Sequence, residues 1–109
     1  MQITLFESKD EKIHTEIIAI YEFGKIIVSG YDQYLPTPQL PQGSEYVYET
    51  MLDSISTREL VEIIAPNQSE VEVLEKMKEM FGGKGADIRF QAFCVEHEIE
   101  TYCSSEFDD

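Results

Sequence analysis

A chain of 109 residues, 42% apolar and 28% charged, holds enough apolar material for one hydrophobic core and not for two. Its 22 Asp and Glu against 8 Lys and Arg leave a formal net charge of -14, which argues against nucleic acid and anionic membrane as partners, because phosphate neutralisation needs cations this chain lacks. The composition is that of a globular chain rather than a disordered one, and no run of residues approaches the roughly 18 apolar positions of a membrane span.

The opening "MQITLFESKDEK" turns acidic within its first turn and has neither a basic leader nor an unbroken apolar run, so it reads as a cytoplasmic protein's start and not as a signal peptide. In "QITLFES", Ile3 and Leu5 point to one side of a strand and Thr4 and Phe6 to the other. A polar turn leads into "IHTEIIAIYEF", a second strand dense in β-branched residues, and Gly24 supplies the positive φ of a tight hairpin. "KIIVSGYD" follows, apolar on both faces from Ile26 to Val28, as a central strand does when it is covered on at least one side. Pro36, Pro38 and Pro41 then withhold backbone donors, so a loop is expected from about Tyr34 to Ser44. "EYVYETML" resumes alternation, with Tyr46, Tyr48 and Thr50 on one face and Val47, Glu49 and Met51 on the other.

The period changes in the second half. Ser56 and Glu59 fit a capping box, Ile55 and Leu60 a hydrophobic staple, and Pro66 stops a short helix. Ser69 and Glu72 repeat the box before Val71, Leu74, Met77 and Phe81, which recur at helical spacing, and Gly82 and Gly83 permit a left-handed cap. Asp87 is the expected cap of a third helix with Ile88, Ala92, Val95 and Ile99 on its apolar side, an arc widened by Phe90, Phe93 and Cys94. "IETYCSSEFDD" alternates again. The pattern predicts an α+β fold: a four-stranded antiparallel meander followed by two or three helices packed on one face, with a short C-terminal strand. One domain is expected over 1–109, mainly β through 52, mainly α over 53–98, a strand over 99–105 and a frayed acidic tail over 106–109. The first or last strand is an edge open to pairing, and the oligomeric state is not written in the chain.

Little in the sequence spells reaction chemistry. Cys94 and His97 fall at i and i+3 with Glu98 and Glu100 nearby, but two soft ligands are fewer than a zinc site uses, so no metal is expected. Cys94 and Cys103 read as reduced thiols, with a disulfide open to an exported chain, and their neighbours Glu96, Glu98, Glu100 and Glu106 raise a thiol pKa rather than activate a nucleophile. Pairs such as Glu70 and Glu72, Glu96 and Glu100, or Asp108 and Asp109 read as solvated faces. "GGKG" at 82–85 lacks the Ser or Thr and the preceding strand of a phosphate loop. No cofactor is expected.

The informative stretch is "GYDQYLPTPQLPQGSEYVYE", residues 30–49, with four tyrosines and three prolines and no Lys or Arg. Tyrosine offers rigid amphipathic contact area and proline pre-orders a loop, so Tyr31, Asp32, Tyr34, Tyr46 and Tyr48 are the candidate partner contacts. For Tyr46 and Tyr48 packing in a strand, with the hydroxyl at the rim, is the stronger reading. "KIIVSGYD" with its G-x-D turn, "SEYVYE" with its E-Y-x-Y strand, and a last helix running into "HEIETYCSSEF" together resemble small acidic bacterial proteins of uncharacterised function, over residues 20–107. The resemblance implies an α+β fold and no activity, and the Trp-rich ending of such proteins is missing because the chain has no Trp.

Charge and tyrosine point to a non-enzymatic acidic protein-interaction module, of inhibitor or immunity type, that covers a basic surface of a partner protein. A small-ligand binder or enzyme with a pocket between sheet and helices, using Asp32, Tyr34 or His97, is the alternative. A nucleic-acid mimic would need rows of carboxylates along one face, whereas the acidic residues are dispersed through the chain.

Overall fold

The computed structural model describes residues 1–39 and 41–108. Strands β1 (Gln2–Lys9), β2 (Ile13–Glu22), β3 (Lys25–Tyr34) and β4 (Ser44–Met51) form the meander, helices α1 (Ser54–Ile64), α2 (Glu70–Phe81) and α3 (Ala86–Glu96) follow, and β5 (Tyr102–Asp108) closes the chain. The sheet is fully antiparallel in the order β1-β2-β3-β4-β5, so β1 and β5 are its edges. The fold is therefore the expected α+β layer pair, with the meander extended to five strands by the last one. That strand begins and ends three residues later than the 99–105 expected, and Glu106, assigned to a frayed tail, pairs with Val47 instead. Asp109, the end of that tail, lies outside the described residues.

Alternation along β2, β3 and β4 determines which side is wet. Ile17 and Ala19 on β2, Ile26 and Val28 on β3, and Thr50 on β4 are almost fully buried, as is Leu52 directly after β4, and they meet Leu60, Val73, Leu74, Met77, Phe81, Phe90 and Cys94 from the helices. The first strand departs from simple alternation. A bulge between Thr4 and Phe6 places both Leu5 and Phe6 against the core, where Leu5 and Phe6 were expected on opposite faces. The bulge turns the Leu5 carbonyl away from β2, and the amide of Gly83, in the α2–α3 turn, donates to it at 2.9 Å.

The helix starts differ in how local they are. Ser69 and Glu72 form the expected capping box at α2, with Ser69 Oγ accepting from the Glu72 amide at 3.2 Å. Helix α1 is not capped by Ser56: Asp53 is the cap, its Oδ1 accepting from the Ser56 amide at 2.8 Å, and the expected staple fails because Ile55 is 65% exposed. A carboxylate accepts more strongly than a hydroxyl, and the earlier start puts Ser56 and Thr57 in the interior. Asp87 is likewise not a cap. Gly85, at φ 81°, precedes α3 and leaves Asp87 in its first turn, where a carboxylate still suits the helix dipole.

The buried side of α3 is one part of the expected apolar arc: Phe90, Cys94 and, just past the helix, Ile99 are in the core, whereas Ile88, Ala92 and Val95 face out. Ile88 and Val95 are 67% and 75% exposed, while Phe90 and Cys94 are fully buried with Ala86. Val71 of α2 is also exposed, and Val73 takes its place in the core. Both helices turn toward the sheet the side carrying the aromatic rings, since a phenyl ring removes more surface from water than a β-branched side chain does. Phe90 meets Phe81 edge-on at 5.6 Å between ring centroids, and Phe93 meets it at 5.4 Å. Arg89 locks the turn between these helices, donating from Nε and Nη2 to the Phe81 carbonyl, from Nη2 to Gly82 and from Nη1 to Lys84 at 2.7 to 3.2 Å.

Helix α1 is tied to the sheet by one buried bond, in which the Ile26 amide donates to Thr57 Oγ1 at 3.0 Å. Thr57→Val keeps the shape and removes the acceptor, stranding a buried amide. Chemical denaturation is expected to show a loss of about 1–3 kcal/mol, with Thr57→Ser losing less.

Candidate interaction site

The molecule measures 51 × 25 × 22 Å, and the ten-residue strands β2 and β3 run past the helices. Burial along the helix-facing side of β3 records this: Ile26, Val28 and Gly30 are buried, Asp32 is half-buried and Tyr34 is exposed. Where the helical layer ends, a groove of about 540 Å³ opens between the N-terminal part of α3 and strands β3, β4 and β5.

Its centre is Tyr48. Gly30 sits directly across from Tyr48 in the β3–β4 register, and the tyrosine ring lies in the space that a Cβ at position 30 would need. Lying over the glycine brings the phenol to the next helix-facing residue of β3, where Tyr48 Oη donates to Asp32 Oδ1 at 3.1 Å. Tyr46 continues the aromatic surface, its ring centroid 5.4 Å from that of Tyr48 and tilted by 38°. From the other side α3 contributes Asp87, Ile88 and Gln91, and β5 contributes Cys103 and Ser105. Gln91 anchors α3 on β4 by donating from Nε2 to the buried Thr50 Oγ1 at 2.7 Å, and Cys103 Sγ lies 3.8 Å from the same oxygen.

The electrostatics of the groove have one sign. Asp32, Glu49 and Asp87 line it, and no Lys, Arg or His does. Burial raises the pKa of the Tyr48 phenol above its ordinary value, and the charge of Asp32, its hydrogen bond and the more distant charge of Asp87 push the same way. The two aspartates therefore act on one phenol from opposite walls. Each would gain from a cation placed between them, since two like charges share the groove and no Lys, Arg or His is among the lining residues.

The five candidate contacts do not form one cluster. Asp32, Tyr46 and Tyr48 share the groove. Tyr34 borders a different hollow with Pro36, Gly43 and Ser44. Tyr31 belongs to the opposite side of the sheet, where a hydrogen bond to Glu45, followed by burial and the Glu45 charge, raises its phenol pKa. Of the groups considered for a ligand pocket, only Asp32 lines this groove; His97 is exposed and stacks on Phe93 at 4.2 Å. No local pattern marks Asp87, Gln91 and Cys103 as contacts, because their approach to Asp32 depends on pairing β5 with β4 and seating α3.

The thiols differ sharply. Cys94 is buried and Cys103 exposed, and burial, followed by the charge of Cys103, pushes the Cys94 thiol up to about 11. Cys94 and His97, at metal-ligand spacing on paper, face the core and the solvent respectively, and among the described residues no group of three metal-ligating side chains forms. A thiol reagent at neutral pH is expected to modify Cys103 rapidly and Cys94 only after denaturation, giving one equivalent by mass spectrometry on the folded protein and two on the unfolded chain. No helix among the described residues is long and apolar enough to cross a membrane. Comparison with protein-family models, with curated proteins and with solved structures finds nothing that matches this chain.

Proposed function

We infer that this chain is a non-enzymatic acidic protein-interaction module that covers a basic surface of a partner protein, in the manner of an inhibitor or immunity-type protein. The observation that supports it is the groove at Tyr48, where Asp32 and Asp87 stand on separate elements beside two tilted tyrosine rings with no cation among the lining residues. A Lys or Arg side chain entering it gains charge-assisted hydrogen bonds from the carboxylates and a cation–π contact from the rings. The overall charge of -14 adds long-range attraction that speeds encounter with a basic protein and fades as salt rises. Tyr34, in a separate hollow, and Tyr31, on the reverse side of the sheet, are left as contacts outside this groove.

Affinity capture from the native host at low salt tests this. A basic protein should be retained and released by salt, and Asp32→Asn with Asp87→Asn should weaken its binding by about tenfold or more, since about 1.4 kcal/mol corresponds to tenfold. A retained partner that binds the double variant as tightly as the parent chain, or a partner set without any salt-released basic protein, would rule the groove reading out.

A further inference from the structure

The helices cover one side of the sheet and leave the other bare, yet the bare side does not show the polar outward alternation of a solvated antiparallel sheet. Register places Ile20, Ile27, Met51 and Tyr102 side by side in one row across β2, β3, β4 and β5, with Ile18 in the next row. These residues are half-buried, except Tyr102, which is 48% exposed, and no helix packs on them. Beneath the row's end a hollow of about 230 Å³ lies between Ile27, Met51, Leu52 and Tyr102. Farther along the strands the same side turns acidic, with Glu49 beside Ser29, Glu16 beside Tyr31, and Glu106 beside Val47. Glu7 stands directly across from Glu16, a like-charge pair relieved in part by His14, whose Nε2 lies 3.2 Å from Glu7 Oε2. Lys9 at one corner, beside His14, and Lys25 at the other are the lysines that register places on this side.

We propose that this open sheet face is a second docking surface, and that its occupant is a basic amphipathic segment of a partner protein, laid with its apolar stripe on Ile18, Ile20, Ile27 and Met51 and its cations over Glu16 and Glu106. Charge complementarity selects this occupant. A second copy of the chain would add another -14 and bring carboxylates into a low-dielectric interface without partners. An apolar peptide without cations would leave the glutamates desolvated and unpaired, whereas an amphipathic segment with flanking Lys or Arg satisfies both ends of the face at once. The proposal rests on the reading of a basic partner but uses a surface on the far side of the sheet from the groove, so a partner wrapping the β5 edge reaches both.

The test uses the full chain with methyl-labelled Ile and Met, titrated at low salt with a short synthetic Leu/Lys amphipathic helix, an oligolysine of equal charge, and a Leu/Glu helix. The expected result is saturable shifts at the methyls of Ile18, Ile20, Ile27 and Met51 with the Leu/Lys helix alone. Binding read at these methyls should weaken about tenfold or more in Ile27→Lys and in Glu16→Gln with Glu106→Gln. Three outcomes overturn the proposal: oligolysine giving the same methyl shifts, Leu/Lys shifts confined to groove residues, or a free chain that sediments as a dimer with these methyls already in its interface. Shifts confined to the groove would leave the basic-partner reading standing while removing the sheet face, so the two ideas fail separately.

Discussion

Replacing Gly30 by Ala is expected to lower the thermal midpoint by about 4–24 °C. The ring of Tyr48 occupies the place of the missing side chain so completely that an added methyl coincides with ring carbons. Overpacking of this kind costs about 1–3 kcal/mol, and each kcal/mol shifts the midpoint of a domain this size by about 4–8 °C. The ring cannot move inward, because Val28 and Thr50 on the same face are both about 1% exposed. It can only swing out toward solvent, which breaks the 3.1 Å bond to Asp32 and removes the aromatic floor of the groove. Gly30→Ala is therefore a test of the site as well as of the fold. A double-mutant cycle with Tyr48→Ala isolates the clash: once the ring is gone the methyl has room, and the two changes together should cost less than their sum by about 1–2 kcal/mol. Strict additivity would mean that the ring does not lie on the glycine.

Phe90→Ala is expected to cost about 3–5 kcal/mol, a large part of the roughly 5–15 kcal/mol that holds a natural domain together. Phe90 is fully buried and gives α3 its grip on the interior, meeting Phe81 of α2 edge-on. Alanine leaves a cavity walled by the aromatic and aliphatic residues of α2, α3 and the sheet, which cannot collapse without tilting α3. Phe90→Leu fills most of the space and should cost about 1–2 kcal/mol. Urea denaturation measures both, and a Phe90→Ala loss below about 1 kcal/mol would show that α3 is held by something other than this ring. Tilting α3 also carries Asp87 and Gln91 away from the groove, so the alanine variant should lose binding out of proportion to its folded fraction.

Much of the architecture is legible in single stretches. Pro36, Pro38 and Pro41 bound the gap between β3 and β4, Gly24 makes the β2–β3 hairpin at φ 73°, and Ser69 with Glu72 starts α2, because each acts through its own backbone neighbourhood. The alternation of Tyr46, Tyr48 and Thr50 against Val47, Glu49 and Met51 likewise survives in β4, since a period of two leaves only the choice of which face is inward. The candidate site was legible in part: the tyrosines and Asp32 stand out by composition, but the groove needs Asp87 and Cys103, which are 55 and 71 positions away from Asp32.

What local pattern determined alone was therefore the kind and order of the elements, and the excess of negative charge they display. Tertiary packing decided the rest. Helix α3 carries apolar residues on two sides, so its own periodicity could not choose between the Ile88 and Val95 side and the Phe90 and Cys94 side; the facing Phe81 ring of α2 chose. The carbonyl freed by the bulge at Leu5 finds its donor in the amide of Gly83, in a turn nearly eighty residues later. The open sheet face became visible only when all three helices proved to lie on one side, since hydrophobic alternation names two faces and only the packed molecule shows which is left uncovered.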